Sequence, residues 1–163
     1  MKQLALLAVF ALASCATEYQ SQSFTGGYSE YKLAPDIAVV MFHGNAYTNA
    51  ERVVMMCTLR CAEVTLQSGY RYFSALNFGD TSSQSSFTIP GTATTNVYGY
   101  GNYATANTVI TPAQTVRLYK PSVTVTIKMA NDQQSLASTG HRVLDAAFVS
   151  QSLRQYLGIK TQS

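Results

Sequence analysis

The stretch Gly44–Phe73, GNAYTNAERVVMMCTLRCAEVTLQSGYRYF, is the part of the sequence that decides the fold. It predicts a helix over residues 49–68 that leads into a strand. Thr48 and Glu51 have the spacing of a capping box, in which the hydroxyl accepts from a free backbone N–H and the glutamate reaches back to the cap. Gly69 ends the apolar pattern where a left-handed residue is favoured. The stretch therefore contains both ends of one regular helix.

The predicted helix carries an apolar stripe so wide that only a narrow polar side remains. The stripe consists of Ala50, Val53, Val54, Cys57, Cys61 and Val64, widened by Met55, Leu59, Ala62 and Leu66. Twenty helical residues span about 30 Å, enough to cross several strands. The pattern indicates a helix that lies across a sheet and is covered on more than one side.

Three strand-like segments accompany this helix. Residues 37–42 form a compact apolar run, and residues 70–78 are aromatic and partly alternating. Residues 115–129 alternate between apolar and polar side chains and are interrupted by Pro121, which indicates a bulge or an edge position. The strands outnumber the helices, so a sheet is predicted as one layer of the fold.

The C-terminal segment Val143–Leu157 is predicted to be a second amphipathic helix, stopped at Gly158. Its predicted inward face consists of Val143, Leu144, Ala147, Phe148, Leu153, Tyr156 and Leu157. The order strand, helix, strands, helix predicts an α+β fold. The expected architecture is a two-layer sandwich, a mostly antiparallel sheet with two helices on one face.

Length and composition bound the number of domains and the class of partner. With 163 residues and 47% hydrophobic content the chain can bury one substantial core, and a single α+β domain is predicted over residues 35–163. Charged residues are 12% of the chain, against about a quarter in typical domains, which is common in exported proteins. The formal charge is +3, and loss of Lys2 with the leader leaves 10 basic and 8 acidic residues, hence +2. So small an excess does not indicate a nucleic-acid partner.

The N-terminus is typical of an exported lipoprotein. A positive start at Lys2 is followed by the apolar run Leu4–Ala13, which is too short to cross a bilayer as a helix. The run ends in Leu12-Ala13-Ser14-Cys15, which resembles the bacterial lipobox, where a peptidase cuts before a cysteine that carries diacylglycerol. Residues 1–14 are predicted to be a cleaved signal peptide and Cys15 the lipidated residue. The alternative is an ordinary secretory signal that contains a cysteine.

Lipidation of Cys15 would decide both the location and the membrane partner. Each buried methylene contributes about 0.8 kcal/mol, so two or three acyl chains anchor a protein effectively permanently. Ala16 follows the cysteine, rather than the aspartate that retains enterobacterial lipoproteins in the inner membrane. This favours the outer membrane, with the domain facing the periplasm or the exterior. Residues 15–34 lack an apolar period and are predicted to be a flexible tether that reaches about 25 Å.

A long polar insert over residues 80–112 interrupts the predicted domain. Residues 81–112 contain no Arg, Lys, Asp or Glu. A structureless loop of this length is unusual, so a hairpin-like pair of strand arms around a mobile tip at Tyr98–Tyr103 is predicted. Tyrosine offers a flat face and a hydroxyl at low entropic cost. The candidate ligand or partner contacts are Tyr98, Tyr100, Asn102 and Tyr103, and the alternative is a disordered polar loop.

Two pairs of reactive residues on the central helix have structural explanations. On one helix, Cys57 and Cys61 would hold their Cβ atoms about 5–6 Å apart, farther than the roughly 3.5–4.5 Å of a disulfide. Close packing against the sheet explains these small residues better. Arg60 and Glu63 are three residues apart on the polar side, which predicts an ion pair on the helix surface.

No metal, cofactor or catalytic residue is predicted. His43 and His141 show no recognisable metal-ligand spacing with the cysteines. The sequence contains no Gly-x-Ser-x-Gly or other nucleophile motif, and neither histidine can be assigned to a particular serine. His43 lies at a strand end, where binding residues often occur. A structural role in a hydrogen-bonded turn before the helix explains its position at least as well.

Several motifs together resemble an uncharacterised family of proteobacterial cell-envelope lipoproteins. They are the lipobox at Cys15 and the segments Gly27-Tyr28-Ser29-Glu30, Phe42-His43-Gly44-Asn45, Arg60–Leu66 (RCAEVTL) and Gly69–Phe73 (GYRYF). The resemblance covers most of the mature chain outside residues 81–112. It implies an envelope location and brings no activity. In that family alanine commonly stands at the position of Cys61, which implies that this thiol has no required chemistry.

The sequence therefore predicts a non-enzymatic, lipid-anchored outer-membrane lipoprotein that binds another envelope protein. The alternative hypothesis is a binding module for a glycan or small polar ligand that uses Tyr98–Tyr103. An envelope hydrolase is the third hypothesis, and it needs a pocket in which a carboxylate lies within hydrogen-bond reach of His43.

Overall fold

The computed structural model describes residues 16–160. Within them the chain forms nine strands and three helices: β1 (Gly27–Ala34), β2 (Ile37–His43), α1 (Ala50–Gln67), β3 (Tyr72–Asp80), β4 (Ser83–Ile89), β5 (Thr92–Tyr100), β6 (Tyr103–Thr111), β7 (Gln114–Lys120), β8 (Ser122–Ala130), α2 (Gln134–Ala137), β9 (Val143–Asp145) and α3 (Ala146–Leu157). The chain divides into two compact units. One is the segment Gln84–Leu118, and the other consists of the described residues before and after it.

The larger unit is a five-stranded antiparallel sheet that carries two helices on one face. Its strand order is β1-β2-β8-β3-β9, and each pair of neighbours is antiparallel. Helix α1 lies across β2 and β8 and also packs against α3. The α+β class and the mostly antiparallel sheet are confirmed. The four-residue helix α2 is an addition to the two predicted helices.

The core of this unit lies between α1 and the sheet. Alternate side chains of a strand point to the same face, and the helix-facing positions of β2 and β8 are Ala38, Val40, Phe42, Val123, Val125, Ile127 and Met129. Helix α1 contributes Val53, Met56, Cys57, Leu59, Cys61, Ala62 and Val64. These buried side chains explain the apolar run before the helix and the alternation in β8.

The ends of α1 are capped by residues other than those of the predicted capping box. Asn49 is the N-cap, and its side chain accepts from the backbone N–H of Arg52 at 2.7 Å. Thr48 instead accepts from the backbone N–H of Thr17, so the prediction of a Thr48–Glu51 box is wrong. The predicted stop at Gly69 is confirmed. Gly69 has φ +81°, and the next backbone N–H donates to the carbonyl of Thr65, as in a Schellman motif.

Residues 16–34 belong to the fold, so the prediction of a flexible tether over residues 15–34 is wrong for this described part. Strand β1 pairs with β2 from Gly27↔His43 to Ala34↔Ile37. Before it, Tyr19 stacks with Phe42 at a ring-centroid distance of 6.3 Å. β1 lacks an apolar period because most of its side chains are exposed and only Gly27 is buried. The start of the domain therefore moves from residue 35 to residue 16.

The C-terminal helix begins later than predicted and presents a different face. Residues 143–145 form β9, which pairs with β3, and Asp145 caps α3 by accepting from two backbone N–H groups. Val149 and Leu153 pack on the core, whereas the predicted inward residues Phe148 and Tyr156 are exposed. The cap sets the start of the helix, and packing against α1 selects the side that faces inward. The stop at Gly158, φ +68°, is confirmed.

The smaller unit is built from paired strands, as predicted from the sequence of the insert. β4 pairs with β7, and β5 pairs with β6 from Thr92↔Thr111 to Tyr100↔Tyr103. The two pairs are separated by Pro90-Gly91 on one arm and by Pro112-Ala113 on the other. A Cβ on Gly91 would lie 2.6 Å from the carbonyl oxygen of Thr111, so this close crossing requires glycine.

Candidate functional site

The β5–β6 ribbon is exposed and uncharged along its length. Residues 81–116 contain no Lys, Arg, Asp or Glu. Every side chain of β6 is exposed, including those of the apolar residues Val109 and Ile110. An isolated two-stranded hairpin is marginally stable in water, and unpaired strand edges are templates for pairing with another chain. The ribbon therefore has the properties of a binding surface.

The register divides the ribbon into two chemically different faces. Because side chains alternate, the cross-strand pairs Ala93↔Ile110 and Val97↔Ala106 lie on one face, which is small and mostly apolar. The pair Thr95↔Thr108 lies between them, and its two hydroxyls are hydrogen-bonded to each other at 2.9 Å. The pairs Asn96↔Asn107, Tyr98↔Thr105 and Tyr100↔Tyr103 lie at the positions of the other face, which is polar and aromatic. We call the first the Val97 face and the second the Tyr98 face.

The predicted contact residues lie together at the closed end of the ribbon. Tyr98 and Tyr103 are both well exposed. Tyr100 pairs with Tyr103 across the strands, and Asn102 follows Gly101, φ +60°, in the turn between them. The structure therefore brings the four predicted residues to one place.

A buried charge network forms the second cluster of chemical groups. The guanidinium of Arg60 donates to both carboxylate oxygens of Glu30, at 3.1 Å and 2.5 Å, and to Glu63 at 3.0 Å. Glu63 also accepts from Arg154 and from the hydroxyl of Tyr19. The predicted ion pair between Arg60 and Glu63 is confirmed, but each residue is only 8% exposed, so its predicted place on the helix surface is wrong. Their other partners, Glu30 on β1 and Arg154 on α3, are distant in sequence, and no local spacing predicts them.

The environment of the network fixes its protonation. Burial and the hydrogen bond to Glu63 raise the pKa of Tyr19, so its phenol is neutral. Burial opposes the charge on Arg60, but the hydrogen bonds to Glu30 and Glu63 outweigh it and raise its pKa. Arg60 also lies 4.2 Å from the ring centroid of Tyr28. Two carboxylates face two guanidinium groups, and the cluster ties β1, α1 and α3 together.

A cleft of about 580 Å³ adjoins this network. Its lining includes the ring of Tyr28, the charged side chains of Arg154 and Lys160, and the apolar side chains of Leu66 and Ile159. Arg154 is already engaged, since it donates to Glu63 and to the backbone carbonyl of Lys160. The charges that line the cleft serve the fold.

The cysteines of α1 pack against the sheet as predicted. Cys57 and Cys61 are both buried and free. The Cys57 thiol lies 3.7 Å from the carbonyl oxygen of Val40 on β2. The hydrogen bond to Cys57, together with burial, raises the pKa of the Cys61 thiol. Thiols that are buried and protonated are unreactive.

The structure places one histidine beside a serine, a contact that the sequence did not predict. His43 Nδ1 lies 2.7 Å from the hydroxyl of Ser122, its cross-strand partner on β8. Ser122 is buried and its hydroxyl also lies 3.0 Å from that of Thr81. His141 is exposed. The three hydrogen-bonded side chains join the ends of β2 and β8 to the segment after β3.

Among residues 16–160, no group of three or more His, Cys, Asp or Glu side chains is placed to hold a metal ion. In the same residues no helix is long and apolar enough to span a membrane. The predicted lipidation residue, Cys15, lies outside the described part of the chain. Comparison with family models, curated proteins and solved structures finds no match to this chain. The resemblance to envelope lipoproteins stays a prediction.

Proposed function

We propose that this protein is a lipid-anchored outer-membrane lipoprotein that binds another envelope protein through its β5–β6 ribbon. The observation that carries the proposal is the exposure of an uncharged two-stranded ribbon on both faces. Proteins that protect strand edges place charges or prolines on them. Between Thr92 and Thr111 the sequence has neither. The ribbon is thus open to pairing with a strand of a partner.

The anchor is the second part of the proposal. It is supported by the sequence pattern at Cys15 and by the apolar run before it. Globomycin, or the substitution Cys15→Ala, should leave an unprocessed precursor with no acyl groups. Normal cleavage without lipid would exclude the anchor.

The polar side chains that could act in catalysis are hydrogen-bonded or ion-paired within the fold, which supports a non-enzymatic role. Glu63, Arg60 and Arg154 bind one another, and Ser122 is buried against His43 and Thr81. These groups stabilise the sheet and helices. A nucleophile or general base needs access to a substrate, which the burial of Ser122 and Glu63 opposes.

The ribbon's role is tested by placing charge on the Val97 face. The double substitution Val97→Lys/Ile110→Lys should abolish co-purification of the partner from detergent-extracted envelopes, because a charge on an edge strand opposes pairing. Phe148→Lys is the matched control, since it places the same charge at an exposed aromatic residue of α3. Equal recovery of the partner with the ribbon variant and the control would refute the ribbon as the binding surface.

A glycan or small polar ligand is the second candidate, favoured by the Tyr98 face. Exposed Tyr98 and Tyr103 with the neighbouring Asn102 offer aromatic planes and amide groups to a neutral ligand. Tyr98→Ser/Tyr103→Ser should then release the protein from peptidoglycan or polysaccharide, while Val97→Lys/Ile110→Lys should not. Unchanged retention of the tyrosine variant would exclude this candidate.

A further inference from the structure

Thr17, two residues after the proposed lipidation site, is anchored in the domain. It is 2% exposed. Its backbone N–H donates to the Thr48 hydroxyl at 2.8 Å, and its own hydroxyl donates to the carbonyl of Thr25 at 2.9 Å. The backbone N–H of Asn45 donates to the same hydroxyl at 2.8 Å. Thr17 is therefore fixed between the loop before β1 and the loop before α1.

Covalent geometry then limits how far the domain stands from its lipid. Consecutive Cα atoms lie 3.8 Å apart, so the Cα of Cys15 is within about 7.6 Å of that of Thr17. The sequence predicted a reach of about 25 Å for a flexible tether, and the burial of Thr17 removes that tether. Acyl chains on Cys15 bring the surface around Thr17 to the membrane.

Two exposed aromatic residues flank Thr17. Phe24 is fully exposed and precedes Thr25, whose carbonyl binds Thr17; Tyr47 is 74% exposed and precedes Thr48, whose hydroxyl binds Thr17. Both belong to fixed loops. Tyr47 donates its backbone N–H to the side chain of Asn45 at 3.0 Å. The Phe24 loop closes at Gly26, φ +104°, where an added Cβ would lie 2.3 Å from the carbonyl oxygen of His43.

We propose that Phe24 and Tyr47 form a membrane-docking surface that inserts into the lipid interface beside the anchor. Tyrosine is favoured at the boundary between head groups and acyl chains because its ring is apolar and its hydroxyl is polar, and an exposed phenylalanine ring is stabilised by burial at the acyl boundary. The proposal rests on the lipid anchor, because the acyl chains bring this surface to the bilayer. It goes beyond the anchor by fixing the orientation of the larger unit on the membrane.

The sequence around this surface favours a neutral lipid class. Residues 16–25 and 44–51, which contain Phe24 and Tyr47, include no Lys or Arg and so offer no basic side chain to anionic head groups. The surface therefore fits a neutral, zwitterionic bilayer such as phosphatidylethanolamine with phosphatidylcholine.

The absence of tryptophan from the chain makes a direct test possible. Phe24→Trp and Tyr47→Trp each place a single probe at the surface, and Phe148→Trp places a control probe at a residue of α3 that is 71% exposed. The full-length lipidated variants are reconstituted in zwitterionic vesicles with and without brominated acyl chains. Intact mass measures the acyl groups in the same samples.

With the acyl groups present, the Phe24→Trp and Tyr47→Trp emission should shift to shorter wavelength and be quenched by brominated lipid, while the control keeps the emission of a water-exposed tryptophan. Quenching of both probes no greater than that of the control would overturn the docking surface and leave the anchor standing. A mass without acyl groups would overturn the anchor and the docking surface with it.

Discussion

Glu63 joins three elements of the larger unit through its two carboxylate oxygens. One accepts from Arg60 on the same helix and from Tyr19 before β1, and the other accepts from Arg154 on α3. A charge that is 8% exposed is tolerated only when partners replace its water shell. The Glu63 carboxylate therefore depends on its three donors, and its loss should be costly.

Replacing Glu63 by glutamine should destabilise the protein strongly. The substitution leaves Arg154 and Arg60 without their shared anion, and breaking a buried ion pair from one side costs about 3–5 kcal/mol. The free energy of unfolding in urea measures the effect. Glu51→Gln is the matched control on the same helix, where an exposed first-turn carboxylate contributes about 0.3–1 kcal/mol. Similar losses in the two variants would mean that Glu63 is not the centre of the network.

Tyr19 should make the stability of the protein fall in alkaline solution. Its pKa is raised in the folded state, so above the unfolded-state pKa of about 10 the unfolded chain binds fewer protons than the folded one. Stability is then fully present below that pH and is lost as the pH rises above it. In the Tyr19→Phe variant, the urea concentration at the midpoint of unfolding should depend less on pH between about pH 9 and pH 11. If the urea midpoint of the variant depends on pH as strongly as that of the unmodified protein, groups other than Tyr19 cause the loss of stability in alkaline solution.

At the scale of elements, the C-terminus of α1 shows how one backbone conformation ends a helix and starts a strand. Gly69, φ +81°, lets Tyr70 donate to Thr65 and directs the chain into β3. A side chain at this position meets no atom within 4 Å. The requirement for glycine is therefore conformational and not steric.

Gly69→Ala should lower the free energy of unfolding by about 1–2 kcal/mol, the cost of a left-handed conformation for a residue with a Cβ. Gly79→Ala in β3 is the matched control, because Gly79 has no positive φ and an added Cβ would make an ordinary contact at 3.8 Å with Thr124. The control should be neutral or slightly stabilising. Equal effects in urea unfolding would show that the left-handed turn does not limit stability.

Local patterns predicted the elements whose determinants are local. The apolar stripe and Gly69 predicted α1. The alternation in residues 115–129 predicted one strand with a bulge or edge position at Pro121, and this was wrong in part, because Pro121 separates two strands, β7 and β8, that belong to different sheets. The uncharged insert predicted paired arms and grouped Tyr98 with Tyr103. In each case neighbouring residues carry the information.

Contacts between distant segments could not be predicted from local sequence patterns. β1 lacks an apolar period because most of its side chains are exposed, so its sequence predicts a tether although it pairs with β2. The inward face of α3 is the one that packs against α1, which leaves Phe148 and Tyr156 exposed. Glu30 and Arg154 reach the network from 30 and 91 residues away. Their spacing carries no signal that a single sequence reveals.

Across the whole molecule, charge is distributed unequally between the two units, whereas exposed apolar side chains occur in both. The larger unit contains the ion-pair network, the buried cysteines and the surface next to the proposed lipid site. The smaller unit, Gln84–Leu118, has a single charged residue, Arg117. The first unit thus contains the buried core and the ion pairs, and under our proposal it also carries the lipid, whereas the second unit presents the exposed ribbon that we propose as the binding surface.

Photo-crosslinking in intact envelopes tests this division most directly. A photoreactive phenylalanine analogue replaces Val97 in the ribbon or, as the control, Phe148 in α3 of the full-length lipidated chain. We expect an adduct with one defined envelope protein from position 97, loss of that adduct when Ile110→Lys is added, and no such adduct from position 148. The absence of an adduct at position 97, or the same adducts from both positions, would contradict it.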